Sequence, residues 1–110
     1  MKSILEEIQE KLVGKIVLVR SRDAGVHIGR LVALGFEGGV SLALLTESRI
    51  LWNWKPGDES HKSFTTHGIA IYGVPADSNL SPVAQQPELV EYSCSIIPLT
   101  EQAIKTLSRH

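Results

Sequence analysis

The chain has 110 residues, 43% hydrophobic and 21% charged, with a formal net charge of −1 at neutral pH. That length accommodates one hydrophobic core, so a single domain over residues 1–110 is expected, and the apolar content excludes a long disordered chain. The near balance of charge removes the electrostatic pull of a protein that coats long nucleic acid, and no apolar run approaches a membrane span.

The opening segment has both helix ends marked. Ser3 and Glu6 form an S-x-x-E capping box, Leu5, Ile8 and Leu12 with Ile4 make an apolar stripe, and Gly14 supplies the stop. The β-branched run Lys15–Arg22 reads as a strand, Asp23–Ala24 as a turn and Gly25–Leu34 as a second strand. The glycines between Gly35 and Gly39 suit a hairpin loop, which makes these strands and the next a meander. Val40–Leu45 and Arg49–Lys55 read as third and fourth strands around a short turn at Thr46–Ser48, with Pro56-Gly57 ending the fourth. After a polar stretch around His61, the run GIAIYGV (Gly68–Val74) reads as a fifth strand and Tyr92–Ile97 as a sixth.

Between those two, Pro75–Glu91 holds three prolines among Asp, Ser, Asn and Gln, the composition of a long loop. Thr100 can cap a last helix over Glu101–Ser108, with Leu99 stapled onto Ile104. The expected fold class is therefore α+β: a small, mainly antiparallel sheet of about six strands, curled toward a partial barrel, with an N-terminal and a C-terminal helix. The apolar stripe of the first helix must pack on this chain's own sheet or on another subunit; with the long loop it offers more contact surface than so small a sheet needs, so a homo-oligomer, dimer or tetramer, is expected.

Catalytic and metal motifs find no support. His27, His61, His67 and His110 lack ligand spacing and Cys94 stands alone, which also fits a reducing cytoplasm; no metal and no cofactor are expected. The glycines at 35, 38 and 39 run into a strand and not a helix, unlike a phosphate loop, and no nucleophile elbow is present. A metal-independent hydrolase would have to use His27 or His67 as base, with Thr65 or Thr66 nearby.

Charge distribution is more informative. Arg20, Arg22, Arg30, Arg49 and Lys55 crowd the first half, whereas no Lys or Arg falls between Lys62 and Lys105. Strand parity puts Arg20 with Arg22, and Arg49 with Asn53 and Lys55, while both tryptophans, Trp52 and Trp54, share the opposite face with Ile50. Aromatics at a strand end beside arginines are the parts of a stacking and phosphate-pairing platform. Gly25 and Gly29, flanking His27 on one strand face, would let a ligand or another backbone approach closely. The candidate ligand-binding residues are thus Arg20, Arg22, His27, Arg49, Trp52, Trp54 and Lys55.

Arg22–Gly29 (RDAGVHIG) and Arg49–Trp54 (RILWNW) resemble the AGV-x-x-G and R-x-W-x-W-like strands of a family of short phage-encoded proteins. The likeness covers roughly residues 15–74. It departs in the second motif, where Leu51 stands between Ile50 and Trp52 and KPGDES replaces a small turn. The resemblance implies a phage protein acting in the host cytoplasm, and by analogy a nucleotide-signal sponge of the anti-defence type. The expected function is non-enzymatic sequestration of a small cyclic nucleotide, with no long nucleic acid or membrane as partner. A protein-interaction module, such as a virion accessory or an inhibitor of a host protein, and a small nucleotide hydrolase are the alternatives.

Overall fold

A computed structural model describes residues 2–54 and 65–110. Helix α1 (Ile4–Leu12) starts where the capping box puts it: the Ser3 hydroxyl accepts from the Glu6 backbone N–H at 3.1 Å and donates to the Glu6 carboxylate. Strands β1 (Ile16–Ser21), β2 (Gly25–Glu37) and β3 (Val40–Asn53) follow as the expected antiparallel meander. Then come α2 (Thr66–Tyr72), β4 (Asn79–Leu80), β5 (Glu88–Glu91), β6 (Ser93–Pro98) and α3 (Glu101–Thr106), which ends in a 3-10 turn at Leu107–Arg109. The Thr100 side chain caps α3 by accepting from the Ala103 N–H.

The sheet runs in the order β4-β3-β2-β1-β6, and every pairing is antiparallel. Because β3 is 14 residues long, one edge of it carries two short strands, β5 against Leu42–Leu45 and β4 against Leu51 and Asn53. Consecutive strands β5 and β6 are bent apart at Tyr92, whose φ is 55°. β5 pairs with β3 and β6 with β1, so this bent segment joins the two sides of the sheet and curls it without closing the ladder. The fold is a small α+β domain, as its sequence leads one to expect.

Each face of the sheet has its own apolar cluster. Leu18, Ile28 and Leu51 pack with Ile69, Ala70 and Val74 of the α2 region and with Leu99 and Ala103 near α3. On the other face lie Val17, Val19, Leu31, Ala43, Leu45 and Val90, with Leu12, Leu34 and Ile96 at their margin. Strand alternation separates Leu18 from Val17 and Val19.

Four expectations are corrected. The run Gly68–Val74 is not a fifth strand: Thr66–Tyr72 is helical, its Thr65 cap accepts from the Gly68 N–H, and Gly73 ends it at φ 113°. A seven-residue apolar run fits a buried helix as well as a strand, and burial of Ile69 and Ala70 against the sheet decides for helix. Thr46–Ser48 is not a turn between two strands but a bulge in one continuous strand. Ile28 pairs with Arg49 and Arg30 with Thr46, leaving two residues opposite Gly29, and Glu47 takes φ 54°. Pro75–Glu91 is not wholly loop, because β4 and β5 form where its ends find the edge of β3. Finally, Leu99 joins the cluster of Leu18 and Ala103 in place of a staple to Ile104, which stays exposed. The fourth strand's predicted end at Lys55, with Pro56-Gly57 and His61, lies outside the described residues.

The bulge has a consequence for every side chain after it. Ala43 and Leu45 belong to one cluster, yet Leu51, at the same parity, belongs to the other, because one inserted residue swaps the faces of the strand. Gly29 permits this crowding: a Cβ there would stand 3.0 Å from the Cα and Cβ of Ser48.

Candidate functional site

The swap of faces brings Arg49 to the side of α3. Its Nε donates to the Ser81 carbonyl at 2.7 Å, one terminal nitrogen donates to the Leu107 carbonyl at 3.0 Å, and the other donates to the carbonyl of His110. The guanidinium thereby ties the end of the chain and the segment after β4 to β3. At Leu107 it adds a charged donor to a carbonyl that also accepts from the His110 N–H at 3.2 Å.

His27 is buried, 2% exposed, on the face of Val19. Its Nε2 lies 2.8 Å from the Ala24 carbonyl oxygen, which can only accept, so Nε2 carries a proton. Nδ1 is 2.9 Å from Glu88 Oε1, and the same oxygen accepts from the Ser48 hydroxyl at 2.8 Å. Serine, histidine and carboxylate are all present, but the carboxylate stands between the other two. The imidazole does not reach the hydroxyl and both its nitrogens are engaged, so the cluster joins β2, the bulge and β5 without forming a nucleophile–base pair.

Arg22 is exposed, stacks with its guanidinium carbon 3.9 Å from the centre of the Tyr92 ring and pairs with Asp23 at 2.9 Å. The hydrogen bond between them holds the Asp23 carboxyl below its ordinary range and raises Arg22. Trp52 stands 61% exposed on the outer side of β3. Trp54, past the end of the strand, turns back onto the cluster of Leu18 and Ile28, so the two tryptophans do not share a face as simple alternation predicts.

Arg20 and Trp54 do come together. With Val26, Thr65, Thr66 and His67 they line a concavity of about 430 Å³ beside α2. Arg20 sits directly across from Val26 in the β1–β2 ladder, on the face that α2 and α3 cover. Thr65 is the cap of α2, and His67, the second residue of that helix, is exposed. Among the described residues Arg20 has no ion-pair partner. The arrangement offers a cation, a large aromatic, an imidazole and a hydroxyl to one small volume. Of the seven candidate residues, then, two meet in one concavity, Arg22 and Trp52 are exposed elsewhere, His27 and Arg49 are occupied within the protein, and Lys55 lies outside the described residues.

Thr65, Thr66 and His67 were legible only as a possible hydrolytic group. Reading the following run as a strand hid the T-x-x-G cap that marks a helix start beside the sheet. Among the described residues no group of three or more His, Cys, Asp or Glu side chains could hold a metal ion, and no helix is long and apolar enough to cross a membrane.

Neither a curated protein nor a solved structure matches this chain. A family model matches residues 14–107, a span that runs from the start of β1 through α3 and takes in the whole sheet and the Arg20–Trp54 concavity. The chain therefore belongs to the family described as Domain of unknown function (DUF6948).

Proposed function

We propose that the protein is a non-enzymatic binder of a small phosphate-bearing nucleotide and that the concavity of Arg20, Trp54, Thr65 and His67 receives it. The observation that carries this reading is an arginine without an ion-pair partner among the described residues, placed beside a tryptophan in one hollow. Guanidinium groups pair with phosphate oxygens and indole faces stack on planar bases. At about 430 Å³ the hollow lies in the size range of small-ligand sites. The resemblance to short phage proteins supplies the finer form of the proposal: a phage-encoded sponge that withholds a cyclic nucleotide immune signal in the host cytoplasm.

The test is incubation with a panel of cyclic dinucleotides, cyclic trinucleotides and cyclic ADP-ribose isomers, then removal of free ligand, heat denaturation and analysis of what is released. Intact ligand released by the parent and lost in Arg20→Ala is the expected result. A cleaved product would establish the hydrolase instead, and no uptake of any nucleotide would reject the proposal.

A protein-interaction module is the second reading, and a separate observation favours it. Helix α1 has no buried residue, and Ile4 and Phe36 are 77% and 67% exposed. Apolar side chains so placed mark contact surfaces.

A further inference from the structure

Helix α1 is amphipathic by sequence but almost uncovered in the fold. Only Gln9 and Leu12 are even partly shielded: the Gln9 side chain accepts from the Leu34 backbone N–H at 3.2 Å, and Leu12 packs at the edge of the Val17 cluster. Ile4, Leu5 and Ile8 remain exposed, and Leu5 and Ile8 line an apolar groove of about 310 Å³ with Leu34, Phe36 and Ile96. A nine-residue helix is marginal unless its apolar face is packed. Ile4, Leu5, Ile8 and Phe36 thus present neighbouring exposed apolar side chains, the kind of patch that marks a contact surface.

The charges beside this stripe are arranged to meet their own copy. Glu7 and Lys11, four residues apart, lie in one row on the helix, next to the row of Ile4 and Ile8. Neither has an ion-pair partner among the described residues, whereas Lys2 and Glu10 pair with each other at 2.7 Å. If an identical helix is laid antiparallel across the stripe, with a two-fold axis passing by the middle of α1, Glu7 of each copy stands opposite Lys11 of the other. A two-fold interface repeats every contact, so both pairs form together.

We infer that α1 and the groove beside it are the isologous interface of a homodimer, in which the α1 helices of two copies pack antiparallel over Ile4, Ile8 and Phe36 and exchange Glu7–Lys11 ion pairs. This inference is independent of nucleotide binding, since the Arg20–Trp54 concavity lies beside α2 and shares no residue with the groove.

Sedimentation equilibrium of the full chain tests it. The parent should sediment as a dimer, twice its 12.0 kDa mass, at tens of micromolar. Ile4→Lys, at an exposed position where folding is unaffected, should yield monomer, with circular dichroism and melting showing a folded chain. Glu7→Lys and Lys11→Glu each set like charges across the axis and should raise the dimer dissociation constant roughly tenfold, while the two together restore the opposite pairs and recover the parent's value. A monomeric parent, or a dimer that Ile4→Lys leaves intact, overturns the interface. Single charge variants whose defects are not recovered on combination overturn the antiparallel arrangement.

Discussion

The two faces of the sheet are covered in different ways. On one, α2 and α3 bring Ile69, Ala70 and Ala103 onto Leu18, Ile28 and Leu51, all of them buried, and the Arg49 guanidinium ties the chain end down over the same side. On the other, Val90 of β5 reaches the cluster of Val19 and Leu45, but α1 contributes only the partly shielded Leu12 and leaves its stripe open. Among the described residues α1, α2 and α3 each have a side-chain cap at the N-terminus. Capping therefore starts a helix here and does not decide whether it packs; the apolar area it meets decides that.

If this contrast is right, equal truncations should have unequal effects. Ile69→Ala or Leu18→Ala should cost about 2–5 kcal/mol in urea denaturation, because each leaves a hole in a closed cluster. Ile4→Ala, measured in dilution where the chain is monomeric, should change stability by no more than about 0.5 kcal/mol. Comparable losses at the two sites would break the comparison.

Gly73→Ala probes how tightly α2 is closed against α3. The residue combines φ of 113° with a position where a Cβ would collide with the Thr106 side chain, while Thr106 itself accepts from the Val74 N–H at 2.9 Å. Backbone strain and overpacking together should cost roughly 2–4 kcal/mol. A variant as stable as its parent would mean that α2 can shift away from α3.

Arg49→Ala should cost on the order of 2 kcal/mol, since carbonyls of Ser81, Leu107 and His110 lose a charged donor. Amide hydrogen exchange should show the loss concentrated in the 3-10 turn and the segment around Ser81. Uniformly faster exchange across the sheet would show that the arginine supports the whole fold and not that end alone.

The caps give the smallest effects and the sharpest contrast. Thr65→Ala and Thr100→Ala remove a bond that starts a packed helix and should each cost about 1 kcal/mol. Ser3→Ala, at the helix that lies open, should cost at most about 0.5 kcal/mol of global stability, with fraying of α1 seen by circular dichroism. A loss at Ser3 as large as at Thr100 would indicate that α1 is docked more firmly than its exposure suggests.

Local chemistry is enough to place much of this fold. Ser3, Glu6 and Thr100 specify helix starts through their own backbone neighbours, and the run from Ile16 to Glu37 alternates and turns where its β-branched residues and glycines allow. The candidate site is less legible because membership depends on which face each residue takes. A turn at Thr46–Ser48 leaves the face of Arg49 relative to the preceding strand unspecified, and alternation within Arg49–Lys55 puts Trp54 on the face of Trp52, which it does not keep. The bulge inserts a residue before Arg49, and Trp54 leaves the strand to pack on the cluster of Leu18, Ile28 and Leu51.

What the sequence by itself determined is therefore the set of elements whose signals act over three or four residues: the first and last helices, the β1–β2–β3 meander and the α+β class. Tertiary structure alone decided that GIAIYGV is a helix, that β4 and β5 form at all, and that Arg20 faces Trp54 while Arg49 turns to the chain end. The physical reason is range. A cap or a turn is satisfied by neighbours along the chain, whereas a short apolar run, a two-residue strand or an arginine takes its place from groups tens of residues away that supply burial or a hydrogen-bond partner.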